Sequence, residues 1–90
     1  LLIRSVVVDD RPILGPVGDK DTESPYLHDL GSYHIGKVIK VAWQVYAFND
    51  VLGVAAFAKA GRSDQWTQLK KTPTPLALGA AWKDSADFEV

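Results

Sequence analysis

Nine consecutive residues, Val38 to Tyr46, alternate so regularly that they favour one backbone conformation over all others. Ile39, Val41, Trp43 and Val45 fall on one face and Val38, Lys40, Ala42, Gln44 and Tyr46 on the other, which is the side-chain repeat of a strand. β-Branched and aromatic residues dominate the run, and these side chains suit a pleated surface. The apolar row is core material, with Trp43 as its key aromatic.

The flanking sequence is punctuated in the same way. Asn49-Asp50 and Gly53 are turn chemistry, since Asn and Asp side chains bond nearby backbone and tolerate unusual dihedrals. Val51 to Ala60 stays open between strand and helix: its alanines suit a helix, Gly53 weakens one, and the polar turn Gly61-Arg62-Ser63-Asp64 favours two short strands. Gln65 to Leu69 alternates about Trp66 as a short strand. Thr72-Pro73-Thr74-Pro75 must be a connection or an edge, because each proline lacks an amide hydrogen and restricts the residue before it. Leu76 and Leu78 suit a brief strand and Gly79 to Asp84 a turn; Ala86, Phe88 and Val90 alternate with Asp87 and Glu89 as a last strand, in the middle of which the chain stops.

Toward the N-terminus, Ile3 to Val8 reads as a strand broken by Asp9-Asp10-Arg11-Pro12. Gly15 to Gly36 has little periodicity and is longer than connections normally run inside a compact domain, so it is expected to be functional, mobile or held by a neighbour. Tyr26, Leu27, Leu30, Tyr33 and Ile35 are the groups available to tack its second half onto the core, leaving Gly18 to Ser24 as a loose tip.

Together these elements describe one all-β domain over residues 1–90, a small antiparallel β-sandwich with a long irregular loop at about 15–36. A chain of this length buries only about 60–65% of its unfolded surface, so the core is thin. A hydrophobic content of 47% nevertheless separates it from disordered tails. Ten basic and eleven acidic residues are scattered along the chain, leaving no basic stripe for nucleic acid and no polybasic anchor for a membrane surface. No apolar run approaches the roughly 18–20 residues of a membrane span, so no membrane insertion is expected. The absence of cysteine removes disulfides, thiolate metal sites and cysteine nucleophiles without naming a compartment. Extracellular or cell-surface is the favoured expectation. A chain that begins with Leu and lacks Met is expected to have been processed or excised.

Residues 35–90 resemble a fibronectin type III or other immunoglobulin-like sandwich. Val41-Ala42-Trp43 resembles the strand whose tryptophan packs in such cores, and Val54 to Lys59 would follow it. Ser63-Asp64-Gln65-Trp66-Thr67-Gln68-Leu69 resembles the turn and W-x-x-L strand beyond. Leu76-Ala77-Leu78-Gly79 with Asp84 to Val90 resembles the leucine turn and the aromatic strand, with Phe88 in place of the usual tyrosine. The resemblance implies a sandwich lacking its last strand, whose open sheet edge would pair with another chain. A weaker likeness is to the C-terminal sandwich of expansins and related pollen allergens, through Gly61 to Trp66.

Candidate chemistry is sparse. Asp19, Asp21 and Glu23 place carboxylates at alternate positions, as calcium loops do, but Ser24 stands where the turn glycine belongs and no helix flanks the segment. A solvated loop is the expected state. His28 and His34, with Asp29 between them, have a spacing a metal ion accepts, although two histidines in a polar loop are more commonly surface groups. Ser24 and Ser32 lie near these histidines without a nucleophile elbow, so no catalytic residue, no enzyme activity and no cofactor is expected. Trp66 and Trp82 sit among polar neighbours and, with Tyr26 and Tyr33, are the candidate binding residues; closing the sandwich edges is their other reading. The expected function is a non-catalytic interaction or structural module that meets a protein partner, or a second copy, through an open sheet edge. The alternative is a carbohydrate-binding domain using Trp66 and Trp82.

Overall fold

A computed structural model describes residues 1–15, 17–18 and 27–90; of residues 17 and 18 it describes the backbone. The architecture is all-β and sandwich-like. Its strands are β1 (Leu2–Val8), β2 (Arg11–Leu14), β3 (Val17–Gly18), β4 (Val38–Tyr46), β5 (Ala55–Ala58), β6 (Thr67–Lys71) and β7 (Ala81–Glu89). One antiparallel sheet runs in the order β2-β1-β4-β7, and β5 and β6 form a second, two-stranded layer.

β4 has the boundaries its alternation predicts, and Ile39, Val41, Trp43, Val45 and then Ala47 are all buried. Segment 51–60 resolves as strand, at Ala55–Ala58. β4 and β7 pair over nine residues without a shift, from Val38 opposite Glu89 to Tyr46 opposite Ala81. The same register continues through Ala47, whose N–H donates to the Ala80 carbonyl at 2.9 Å, and through the reciprocal bonds of Val51 and Leu76 at 2.8 and 3.0 Å. Thr72 then donates to the Val54 carbonyl, and β5 pairs with β6. The two layers are therefore two arms of one bent antiparallel ribbon, with Thr72 to Pro75 in its bend.

Two bulges decide which residues reach the interior. Opposite β4, the register of β1 shifts between Ile3 and Ser5, with Arg4 as the extra residue. Ile3 then lies opposite Val45 while Val6 and Val8 lie opposite Trp43 and Val41, so all three face the core although Ile3 and Val6 differ in parity. In β6 the extra residue is Leu69, because Lys70 opposes Ala56 while Gln68 opposes Phe57. Adjacent Leu69 and Lys70 consequently both turn toward the main sheet, Leu69 onto the core and Lys70 onto Asp84 of β7 at 2.8 Å.

Three readings at element boundaries are corrected. The break at Asp9-Asp10-Arg11-Pro12 is only two residues long: Asp9 and Asp10 take φ of 48° and 64°, the left-handed pair of a tight hairpin turn, and Arg11 and Pro12 already belong to β2. Pro12 is tolerated because β2 is an edge strand. The loop at 15–36 is interrupted by β3, which continues the pairing of β2 along β1 with Val17 opposite Ile3. Gly15 joins the two at φ 152°, where a Cβ would lie 2.3 Å from the Arg4 carbonyl oxygen. Finally, Gly79 to Asp84 is not a turn throughout. The turn closes with Ala80 donating to the Ala77 carbonyl and Gly79 at φ 85°, and β7 begins at Ala81. Leu78 stands exposed in that turn while Leu76 alone makes the bridge.

Candidate binding surfaces

The three tryptophans separate by the face their register gives them. Trp43 is 6% exposed at the centre of the core, with an indole N–H that has no hydrogen-bond partner. Trp82, opposite Val45 on the core face, meets Trp43 edge to face at 5.3 Å between centroids, so it closes the core. Trp66 lies just before β6 and is 49% exposed, with the Lys59 ammonium 5.3 Å from its ring centroid.

Trp66 is not alone on its surface. Ala56 and Ala58 turn toward the core, so alternation sends Phe57 to the solvent side of β5, where it is 51% exposed. Phe57 opposes Gln68, and Trp66, two residues before Gln68, shares that face as a diagonal neighbour. The outer side of the second layer thus carries two half-exposed aromatic rings with a cation and an amide between them. Phe57 was not singled out by sequence reasoning; the alternation of Ala56, Phe57 and Ala58 was the available signal.

The segment before β4 is anchored by fewer groups than expected. Leu30 and Tyr33 pack against the core, and the Tyr33 hydroxyl donates to the Leu30 carbonyl at 2.7 Å with the Lys37 ammonium over its ring. Leu27 and Ile35 do not join them and stay exposed. Tyr33 is thus half-buried, a structural anchor with one ring face toward Lys37. Tyr26, Asp19, Asp21 and Glu23 lie outside the described residues, as does most of the expected loop tip.

His28 and His34 are both exposed. The Asp29 carboxylate between them accepts the Gly31 N–H at 2.8 Å, closing a local turn. Among the described residues no group of three potential metal ligands comes together. No helix among them is long and apolar enough to cross a membrane.

Among the described residues, Asp84 has a shifted acidity. It accepts from Lys70, then from the Ser85 backbone N–H at 2.8 Å, and these bonds, with the attraction of the Lys70 charge, outweigh desolvation and hold it below the ordinary aspartate range. On the opposite face of the main sheet, Ser5, Gln44, Lys83 and Ser85 border an open groove of about 420 Å³ floored by Val7 and Ala42. Neither histidine lines it. No family model, no curated protein and no solved structure matches this chain.

Proposed function

We propose that this chain is a non-catalytic interaction module, a sandwich of the immunoglobulin-like kind that contributes binding surface to a larger assembly. The observation that carries this reading is the solvent face of the β5–β6 layer, where Phe57 and Trp66 are each about half exposed. Full burial of such a ring is worth on the order of 1.5–3 kcal/mol and about half of each is still exposed, so a thin-cored domain that leaves two of them at its surface gives up stability that a partner recovers. Aromatic side chains are also enriched in the cores of binding interfaces. The likeness to fibronectin type III domains is supported by Trp43 and Phe88, which lie on adjacent strands and face one core.

A carbohydrate-binding domain is the second reading, favoured by the exposed indole of Trp66 beside Gln68 and Lys59. Since the Trp82 ring is engaged with Trp43, Phe57 and Trp66 would carry that role.

The test is the double variant Phe57→Ser/Trp66→Ser, compared with the parent chain in tryptophan fluorescence titrations with soluble glycans and in photo-crosslinking to proteins. Crosslinks that the parent forms and the variant loses, with no glycan response, are the expected result. A saturable glycan response abolished by the variant would transfer the function to the second reading. A variant indistinguishable from the parent in every assay would remove both.

A further inference from the structure

The open edge of β7 carries a pattern that no described strand of its own chain uses. At the two ends of the β4–β7 ladder, Ala47 donates to Ala80 and Val90 donates to Lys37, and no shift interrupts the register between them. Backbone groups of an antiparallel strand alternate between its two sides. The even-numbered residues of β7 therefore bond to β4, while Ala81, Lys83, Ser85, Asp87 and Glu89 turn their N–H and C=O groups to the other side. β7 is the terminal strand of its sheet, and no described strand is hydrogen-bonded to that side. The side chains of Lys83 and Asp87 are exposed, and neither forms an ion pair with a described residue.

We propose that this edge pairs with a second copy of itself, antiparallel about a two-fold axis at Ser85. The proposal rests on the reading of the chain as an interaction module and names one of its partners. A two-fold interface must be self-complementary, and the order of residues along β7 makes it so. With Ser85 opposite Ser85, Lys83 lies opposite Asp87 of the other copy, and the same pair recurs on the far side of the axis. Ala81 then opposes Glu89, and on the core face Trp82 opposes Phe88. The whole of Ala81–Glu89 is used.

Other symmetric registers are worse. Centring on Lys83 or Asp87 sets like charges against each other at the axis, and centring on Asp84 opposes two carboxylates. Centring on Ala86 sets Lys83 against Glu89, but leaves Asp87, which lies opposite Lys40 of its own chain, without a cation from the other copy and Trp82 without its aromatic partner. At the axis itself, the Ser85 N–H already donates to Asp84, whose same oxygen holds Lys70. The central bonds contribute least, and the flanking charge pairs and backbone bonds carry the interface.

The experiment is light scattering and analytical ultracentrifugation of the full chain at concentrations up to about 1 mM, since one strand pair buries little surface. The parent chain is expected to dimerise. Each charge reversal is repeated twice by symmetry, so Lys83→Asp alone, and Asp87→Lys alone, should weaken the dimer at least about tenfold. The double variant Lys83→Asp/Asp87→Lys should recover most of the loss, and Glu89→Lys should change little. All three positions are exposed, and unchanged melting temperatures will show that the fold is intact. A parent chain that remains monomeric, or a double variant that fails to recover, overturns the proposal; Glu89→Lys acting as strongly as Asp87→Lys overturns this register. A monomer that still binds a ligand through Phe57 and Trp66 would refute self-pairing alone, whereas loss of both kinds of binding would remove the module reading as well.

Discussion

Lys70 reaches Asp84 across the two layers, at 2.8 Å, because the residue before it is the extra one of a bulge. Without Leu69 as that extra residue, strict alternation would turn either the leucine or the lysine away from the main sheet. The bulge supplies an apolar contact and a polar tether from neighbouring positions.

That tether gives the protein a defined response to acid. A carboxyl group held below its ordinary acidity in the folded state stabilises fully above its unfolded value, and the contribution is lost as pH falls through the folded value. Stability should therefore decline as the solution is acidified through the aspartate range. Asp84→Asn should flatten part of that decline, and Lys70→Gln should do the same by removing the largest cause of the shift. Urea midpoints measured at a series of pH values will show it; parallel profiles for parent and Asp84→Asn would contradict the assignment.

The tryptophans should separate cleanly in stability. Trp43→Ala removes the largest ring of a thin core and should cost on the order of 3–5 kcal/mol, enough to unfold much of the population. Trp43→Phe should cost clearly less, because the indole N–H it deletes has no partner to lose. Trp66→Ala should stay within about 1 kcal/mol of the parent. Chemical denaturation of the three variants is the measurement, and equal losses at positions 43 and 66 would contradict the face assignment.

Two glycines should respond oppositely to alanine. Gly15→Ala would place its Cβ against the Arg4 carbonyl and hold alanine at a φ that L-residues avoid, so a loss well above 1 kcal/mol is expected. Gly61→Ala, with nothing within 4 Å of the new methyl group, should be close to neutral or slightly stabilising. Thermal melts of the pair will decide; a benign Gly15→Ala would mean that β2 does not approach β1 as described.

The β1–β2 hairpin offers an improvement. Asp10 holds φ of 64° in a two-residue turn that glycine fills without strain, so Asp10→Gly should raise stability by about 0.5–1 kcal/mol. Asp9→Gly should not, because the Asp9 carboxylate accepts the Lys40 N–H at 2.9 Å and lies 3.6 Å from the Lys37 ammonium. Melting temperatures that rank Asp9→Gly above Asp10→Gly would reverse the assigned roles.

Sequence alone determined what depends on local periodicity. The strand Val38 to Tyr46, the burial of Trp43 and the all-β class follow from a repeat of two in β-branched and aromatic residues, which no helix accommodates on one face. What it left to the tertiary structure was parity. Trp66 and Trp82 have similarly polar neighbours, yet one faces solvent and the other Trp43, because a strand changes face at every residue and only its pairing partner says which face is inside. The start of β7 was hidden for the same reason: Ala81 to Asp84 has no strand pattern of its own and is held extended by its register with Ala47 and β4. The bulges at Arg4 and Leu69, and the aromatic face of Phe57, likewise exist only as relations between strands that are distant in the chain.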